Sequence, residues 1–408
     1  MSGPPFPSVS PSPRLLTRLR RLPVSVWALG IASLLADVAS EMIYPILPSF
    51  VTRTLRAGRG ALGLIEGGAD AVASLTKIAS GLWTDHYQRR KAPTVAGYAL
   101  SGIAKPLLFL AAAWPTVLIL RLIDRLGKGV RTSPRDALIA DVTPPEGRGM
   151  AYGVHRSMDH LGAVIGPIAC WALLTHVGAS VGTILLLSAI PAVGAVLTVA
   201  WFVKEPATKR PSTRPFHLSN VGRLSPNFRR FLLAVTLFAL GNSSDIFLFQ
   251  RLEESGVAVD SIALLWALHH VVKSAVSFLG GGAADRFGCK QMILAGWAVY
   301  AVAYLGMGWG KSEGVLIGMF LLYGAFHGLS EPAEKSLVSQ LAPSDLRGTA
   351  FGAFHGAVGL AALPASLTFG LLWQAWGVEV AFGFGAGMAA LGALALMAVR
   401  PGRLSEAA

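Results

Sequence analysis

Arg121, Asp124, Arg125, Lys128, Arg131, Arg135 and Asp136 recur every few residues in a stretch otherwise rich in Leu, Ile, Val and Gly. At about 100° per residue they fall within roughly 140° of arc, so on a helix they form one charged stripe, with Pro134 in its last turn. Other ionisable residues stand in equally apolar surroundings: Asp37 and Glu41, four apart; Glu66, Asp70 and Lys77; Lys105; Arg156 and Asp159; Asp245; His269, His270 and Lys273; Glu331, Glu334 and Lys335. A carboxylate held partly out of water can take up and release a proton, and a row of lysines and arginines attracts charged solutes. No HExxH, GxSxG or GxxxxGK[ST] pattern occurs, so hydrolytic and ATP-driven chemistry have no carrier here and the chain is not expected to be an enzyme. Cys170 lies in an apolar run and Cys289 in a charged loop, away from any Cys/His cluster, so neither a disulfide nor a metal is expected.

The elements that position these charges follow from composition. The chain has 408 residues, 53% apolar and only 14% charged, with a mean hydropathy of +0.55. Soluble domains carry about a quarter charged residues, so a soluble enzyme, a nucleic-acid binder or a disordered chain is excluded despite the net charge of +13. An all-α polytopic membrane protein remains. A charge in hydrocarbon costs at least ~2.5–3.5 kcal/mol, so the stripe must face a polar interior shared with the other buried charges.

A crossing needs about 20 mostly apolar residues, which places twelve transmembrane helices at 24–50, 61–83, 94–113, 116–141, 149–175, 181–203, 228–250, 261–284, 292–309, 315–340, 347–373 and 378–399. Lys and Arg concentrate in the amino-terminal arm and the even-numbered connections, among them Arg89, Arg90, Lys91, Lys204, Arg286, Lys290 and Arg347. Both termini are therefore expected in the cytoplasm. The Pro- and Arg-rich first 22 residues lack the apolar core of a signal peptide and read as a disordered arm. Residues 23–203 and 228–400 form two six-helix units, joined by the polar linker 204–227 and followed by a short tail, 401–408.

The two units are copies. GLWTD (81–85) returns as GGAAD (281–285), AGYA (96–99) as AGWA (295–298), and RGMAYG (148–153) as RGTAFG (347–352), while Gly129 falls on Gly328. Paired six-helix repeats about an axis along the membrane normal are a transporter architecture. GLWTDHYQRRK resembles the loop signature G-x-x-x-D-R-x-G-R/K-R/K of the major facilitator superfamily, keeping Gly81, Asp85, Arg89 and Arg90 but with His86 and Gln88 where Arg and Gly are usual. GGAADRFGCK is closer, with Gly281, Asp285, Arg286, Gly288 and Lys290. RLIDRLGKG resembles the fourth-helix motif through Arg121, Gly127 and Gly129. The fifth helix resembles the antiporter motif through Gly153, Gly162, Gly166 and Pro167, with Cys170 and Trp171 replacing its last two glycines.

The resemblance implies two pseudo-symmetric bundles and secondary active transport of a small molecule, driven by a proton gradient and without a cofactor. It implies a multi-pass protein of a bacterial-type cytoplasmic membrane, working as a monomer in the lipid bilayer with no nucleic-acid partner. Proton-coupled export of a small organic compound is the first expectation. Import of an anionic solute, motivated by the net-positive stripe, is the second, and a non-transporting sensor the third. Asp85 and Asp285 are expected to latch the cytoplasmic side by meeting a helix N-terminus or a loop arginine. Asp37, Glu41, Asp70, Lys105, Arg121, Asp124, Lys128, Asp159, Asp245, His270 and Lys273 are assigned to a central cavity. Arg125, Arg131, Arg135 and Asp136 read rather as structural ion pairs, and Lys77 and Arg156 as gate pairs. The carboxy-terminal unit carries fewer buried charges and is expected to present the more apolar wall.

Overall fold

The computed structural model describes residues 15–44, 46–47, 50–56, 59–205, 224–257 and 259–400. It is 86% helical, with no strand among the described residues. Helices satisfy their backbone polar groups internally, as a chain in lipid must. In order they are α1 (Leu15–Arg20), α2 (Val24–Glu41), α3 (Arg59–Tyr87), α4 (Lys91–Leu107), α5 (Trp114–Val142), α6 (Arg148–Thr175), α7 (Val181–Leu187), α8 (Ala189–Phe202), α9 (Pro226–Gly241), α10 (Ile246–Glu254), α11 (Val259–Phe287), α12 (Cys289–Trp309), α13 (Glu313–Leu341), α14 (Arg347–Trp376) and α15 (Val378–Met397).

Each expected crossing has a helix at its position. By length and composition alone, seven stretches among the described residues suffice to span a membrane: α2, α6, α7 with α8, α12, α13, α14 and α15. The other five positions hold helices that carry polar and charged residues along their length (α3, α5, α11), are short (α4) or are broken (α9 with α10). The arm expected to be disordered contains α1, formed by the helix-favouring LLTRLR between Pro13 and Pro23. The rest of the arm (1–14), most of the linker (206–223) and the tail (401–408) lie outside the described residues.

Two expected helices are interrupted. α7 stops and α8 starts around Ser188, because Pro191 has no N–H for the Leu187 carbonyl and its ring clashes with it. The seventh expected helix breaks at Asn242–Asp245. There the Tyr300 hydroxyl donates to the Gly241 carbonyl at 2.8 Å and the Tyr323 hydroxyl to Asp245 at 2.7 Å, while the Ser243 and Tyr304 hydroxyls pair at 3.1 Å. Broken backbone at this depth is tolerated because neighbouring side chains satisfy it.

Packing repeats along the chain. α3 and α4 pack on α5, and α2 on α6; α11 and α12 pack on α13, and α9 on α14. Across the molecule α3 packs on α14 and α6 on α11. These are one contact made twice, since α3 corresponds to α11 and α6 to α14 in the repeat. Lys204 and Glu205 dock at one end: the Lys204 N–H donates to Ser25 at 3.3 Å, and Glu205 accepts from the Arg90 and Lys91 N–H groups at 2.6 and 2.8 Å, capping α4. We call this the linker end.

Candidate functional site

At the linker end two aspartates bridge the halves. Asp85, on the last turns of α3, accepts the Gly348 N–H at 2.8 Å and the Thr349 N–H, both at the start of α14. Asp285, near the end of α11, accepts the Gly149 and Met150 N–H groups at 2.7 and 2.9 Å, at the start of α6. Each carboxylate meets the positive end of a helix and two of its unpaired donors. Arg90 reinforces the first contact, pairing with Asp85 at 2.8 Å and Asp141 at 2.9 Å, and Arg347 joins the same Asp141.

The seams close because glycines meet glycines. A Cβ on Gly81 would sit 2.2 Å from the Gly348 carbonyl oxygen, and one on Gly281 would sit 2.4 Å from that of Gly149. Gly153 packs closely on Ser277 and Gly281, while Gly162 and Gly166 bring α6 against Leu34 and Glu41 of α2; Pro167 follows inside α6. We expect Gly153→Val to keep this seam apart, because its Cβ would lie 2.6 Å from a backbone oxygen that has no room to move. Cysteines replacing Ser157 and Ser274, whose hydroxyls lie 3.0 Å apart, should then cross-link at least about tenfold more slowly. An unchanged rate would show that the glycine is not needed for closure.

The remaining signature residues do other work. Arg89 is exposed. Arg286 lies 5.1 Å over the Phe287 ring, and Lys290 donates to the Met397 and Val399 carbonyls at 2.7 and 2.9 Å, capping α15. Gly288 takes φ 96° at the turn into α12, and Gln88, its counterpart in the first copy, takes φ 52°. The left-handed conformation costs a non-glycine residue about 1–2 kcal/mol, offset here by Gln88 donating to the Asp85 carbonyl at 2.6 Å.

Deeper in, α2, α5 and α6 face α9, α13 and α14 across a cavity of about 290 Å³. Asp37, Lys128, Arg131, Arg135, Arg156 and Asp159 line one side, with Lys77 of α3; His327, Glu331, Glu334, Lys335 and His355 line the other, with Phe238, Asn242, Phe326 and Phe354. Two ion webs cross it. Asp136, fully buried, receives Arg135 and Lys335 at 3.0 Å and His355 at 2.8 Å. Arg156 pairs with Asp159 of its own helix and with Glu331 of α13. Glu331 also meets His327 at 2.8 Å, and Ser33 donates to Asp159 at 2.5 Å.

Of the residues assigned to the cavity, Asp37, Lys128 and Asp159 line it. Lys105, Arg121 and Asp124 gather instead between α4 and α5, with Asp124 held by Lys105 at 3.0 Å, Arg121 at 3.3 Å and Ser101 at 2.5 Å. Glu41 lies where α6 packs on α2, and Asp245 is bound at the helix break. His270 and Lys273 cluster around Trp266, with His270 5.8 Å from His160 across the seam. The Asp70 side chain lies outside the described residues. The stripe on α5 does turn inward: Arg121, Asp124, Arg131, Arg135 and Asp136 are all buried.

The carboxy-terminal side is the more apolar wall, as expected, supplying Val235, Phe238, Ala239, Phe326, Phe354 and Val358, but α13 and α14 also bring five ionisable groups to the cavity. The repeat carries the signal for them. Asp136 and Lys335 are 199 positions apart, as are Arg135 and Glu334, so equivalent positions hold opposite charges. Residues facing a two-fold axis meet their own copies.

The sequence profile of the Major Facilitator Superfamily matches residues 29–252 and 231–407. An uncharacterized MFS-type transporter of Methanocaldococcus jannaschii is 32% identical over 385 residues, 93% of this chain and 95% of its own. The fosmidomycin resistance protein of Escherichia coli is 23% identical over 385 residues, covering 90% and 91%. Among solved structures, the human organic anion transporter MFSD10 superposes with a TM-score of 0.75 at 18% identity, covering 94% of this chain and 100% of its own. With the fold, the duplicated seams and these matches in hand, the chain belongs to the major facilitator superfamily and is a membrane transporter rather than an enzyme.

Proposed function

We propose that this protein exports a small organic compound in exchange for protons, as a monomer in a bacterial-type cytoplasmic membrane. The single observation that carries the reading is a cavity walled by ionisable groups of both halves, shut at one end by paired aspartate–helix contacts. Contacts of that kind can break and re-form as units, letting the halves rock and expose the cavity at either end. The excess of Lys and Arg at the linker end supports a cytoplasmic location for it, and the state described is then one closed toward the cytoplasm. Proton exchange falls to Asp37, a cavity-wall carboxylate without an ion pair among the described residues, with Asp159, Lys128 and Glu41 as its charged neighbours. Export is favoured by the resistance role in the name of the Escherichia coli relative.

Uptake of fosmidomycin into inverted and right-side-out vesicles under an imposed proton gradient tests direction. Export requires accumulation in inverted vesicles, and accumulation only in right-side-out vesicles would make the protein an importer. Asp37→Asn should abolish gradient-driven accumulation while leaving solute exchange without a gradient within about twofold. Driven accumulation at the wild-type rate would remove Asp37 from the coupling path.

A further inference from the structure

Among the described residues, six lysine and arginine side chains line the cavity against four carboxylates, with Asp136 just behind the wall. Arg135 and Lys335 are engaged by Asp136, and Arg156 by Asp159 and Glu331. Arg131 and Lys128, one turn apart on α5, are not. The Arg131 guanidinium rests 4.4 Å over the Tyr98 ring, and its Nε and one terminal nitrogen are buried without a hydrogen-bond partner. Arg131 is 3% exposed overall. Lys128 makes no ion pair within 4.0 Å among the described residues, although the carboxylates Asp37, Glu41 and Asp159 act on it electrostatically.

Buried guanidinium donors left unpaired are costly, and at membrane depth such groups mark the path of a charged species. A guanidinium is planar and presents parallel donors, which suits a carboxylate or a phosphonate. The opposite side of the cavity carries Phe238, Phe326 and Phe354. These are firmly seated: Phe238 stacks on Trp297 at 4.6 Å, and Phe354 on Phe231 at 6.2 Å.

We propose that the cavity recognises an organic anion with an aromatic or other flat apolar body, its head group held by Arg131 and Lys128 and its body by Phe238, Phe326 and Phe354. The proposal deepens the reading of this cavity as the solute site and rests on it.

The test uses purified full-length protein in nanodiscs without a gradient, with binding followed by isothermal titration calorimetry and by thermal shift. Four probes share one ring: benzoate, phenylphosphonate, benzyl alcohol and benzylammonium. The expected result is saturable binding and stabilisation by the two anions, with the alcohol and the cation at least about tenfold weaker. Arg131→Gln should weaken anion binding by about tenfold or more without altering the weak binding of benzyl alcohol. Should that variant fail to fold, Lys128→Gln reads the same head-group site, and Phe354→Ala reads the body site. Equal binding of all four probes, or preference for benzylammonium, overturns the proposal. So does binding of inorganic sulfate as tight as that of phenylphosphonate, since the aromatic wall would then contribute nothing. Because no flux is measured, anion binding by a protein that fails every transport assay would sink the transport reading and leave this inference intact.

Discussion

Replacing both Asp85 and Asp285 with asparagine should open the linker end of the cavity about a thousandfold more often, and each single replacement about thirtyfold. Each carboxylate accepts two backbone N–H groups at a helix start in the opposite half. Hydrogen bonds to a charged group contribute about 1.5–3 kcal/mol, and a change of about 2 kcal/mol is about thirtyfold in population. Both contacts bias the same closed state, so their free energies add. Asp85→Asn should be the more damaging single change, because Asp85 is buried and its loss also strips Arg90 of one of two carboxylate partners. The readout is a cysteine at Ser330, a buried cavity-lining position, in a Cys170→Ser, Cys289→Ser background, labelled by a membrane-impermeant thiol reagent from the linker side. Substrate affinity should change far less than turnover. If the double variant labels no faster than the faster single one, the two contacts do not hold a common closure.

The sequence makes plain whatever depends on periodicity and repetition. The α5 stripe can be placed from spacing alone, because seven charges on one face have nowhere to go but inward, and five of them are buried. The seams follow from the repeat, since GLWTD and GGAAD carry the same aspartate one turn beyond the same glycine. What each charge meets is another matter. Lys105, Arg121 and Asp124 lie as deep as Lys128, yet they close on one another because Ser101 and Lys105 of α4 pack directly against them. Nothing in local spacing distinguishes a charge facing a neighbouring helix of its own half from one facing the axis between halves. Glu331, Glu334 and Lys335 escaped a cavity assignment for the same reason: three charges beside Pro332 on a Gly- and Ser-bearing helix look sparse until α13 is set against α5, its copy. Apolar length alone singles out seven stretches among the described residues, because helices that line a polar interior, such as α3, α5 and α11, give up hydropathy to do so.

Removing Arg156 should harm the protein far more than removing the carboxylate it reaches across the cavity. Arg156 holds Asp159 of its own helix and Glu331 of α13, and Glu331 is in turn backed by His327 at 2.8 Å and His160 at 3.7 Å. Arg156→Gln leaves two carboxylates in one poorly hydrated space with no guanidinium between them. Breaking a buried pair from one side costs about 3–5 kcal/mol, a loss of roughly 150-fold to several thousandfold in the closed population. Glu331→Gln leaves Arg156 paired with Asp159, so about 1–2 kcal/mol is expected from the surviving neutral hydrogen bond and the freed histidines. The double variant Arg156→Gln, Glu331→Gln should recover much of the first loss, because one of the two stranded charges is gone. Thermal midpoints in nanodiscs and solute turnover, measured on the three variants as a double-mutant cycle, give the coupling directly. A coupling energy near zero, or Glu331→Gln proving the worse single change, would mean that Arg156 serves Asp159 alone and that its contact with Glu331 does not help to hold the halves together.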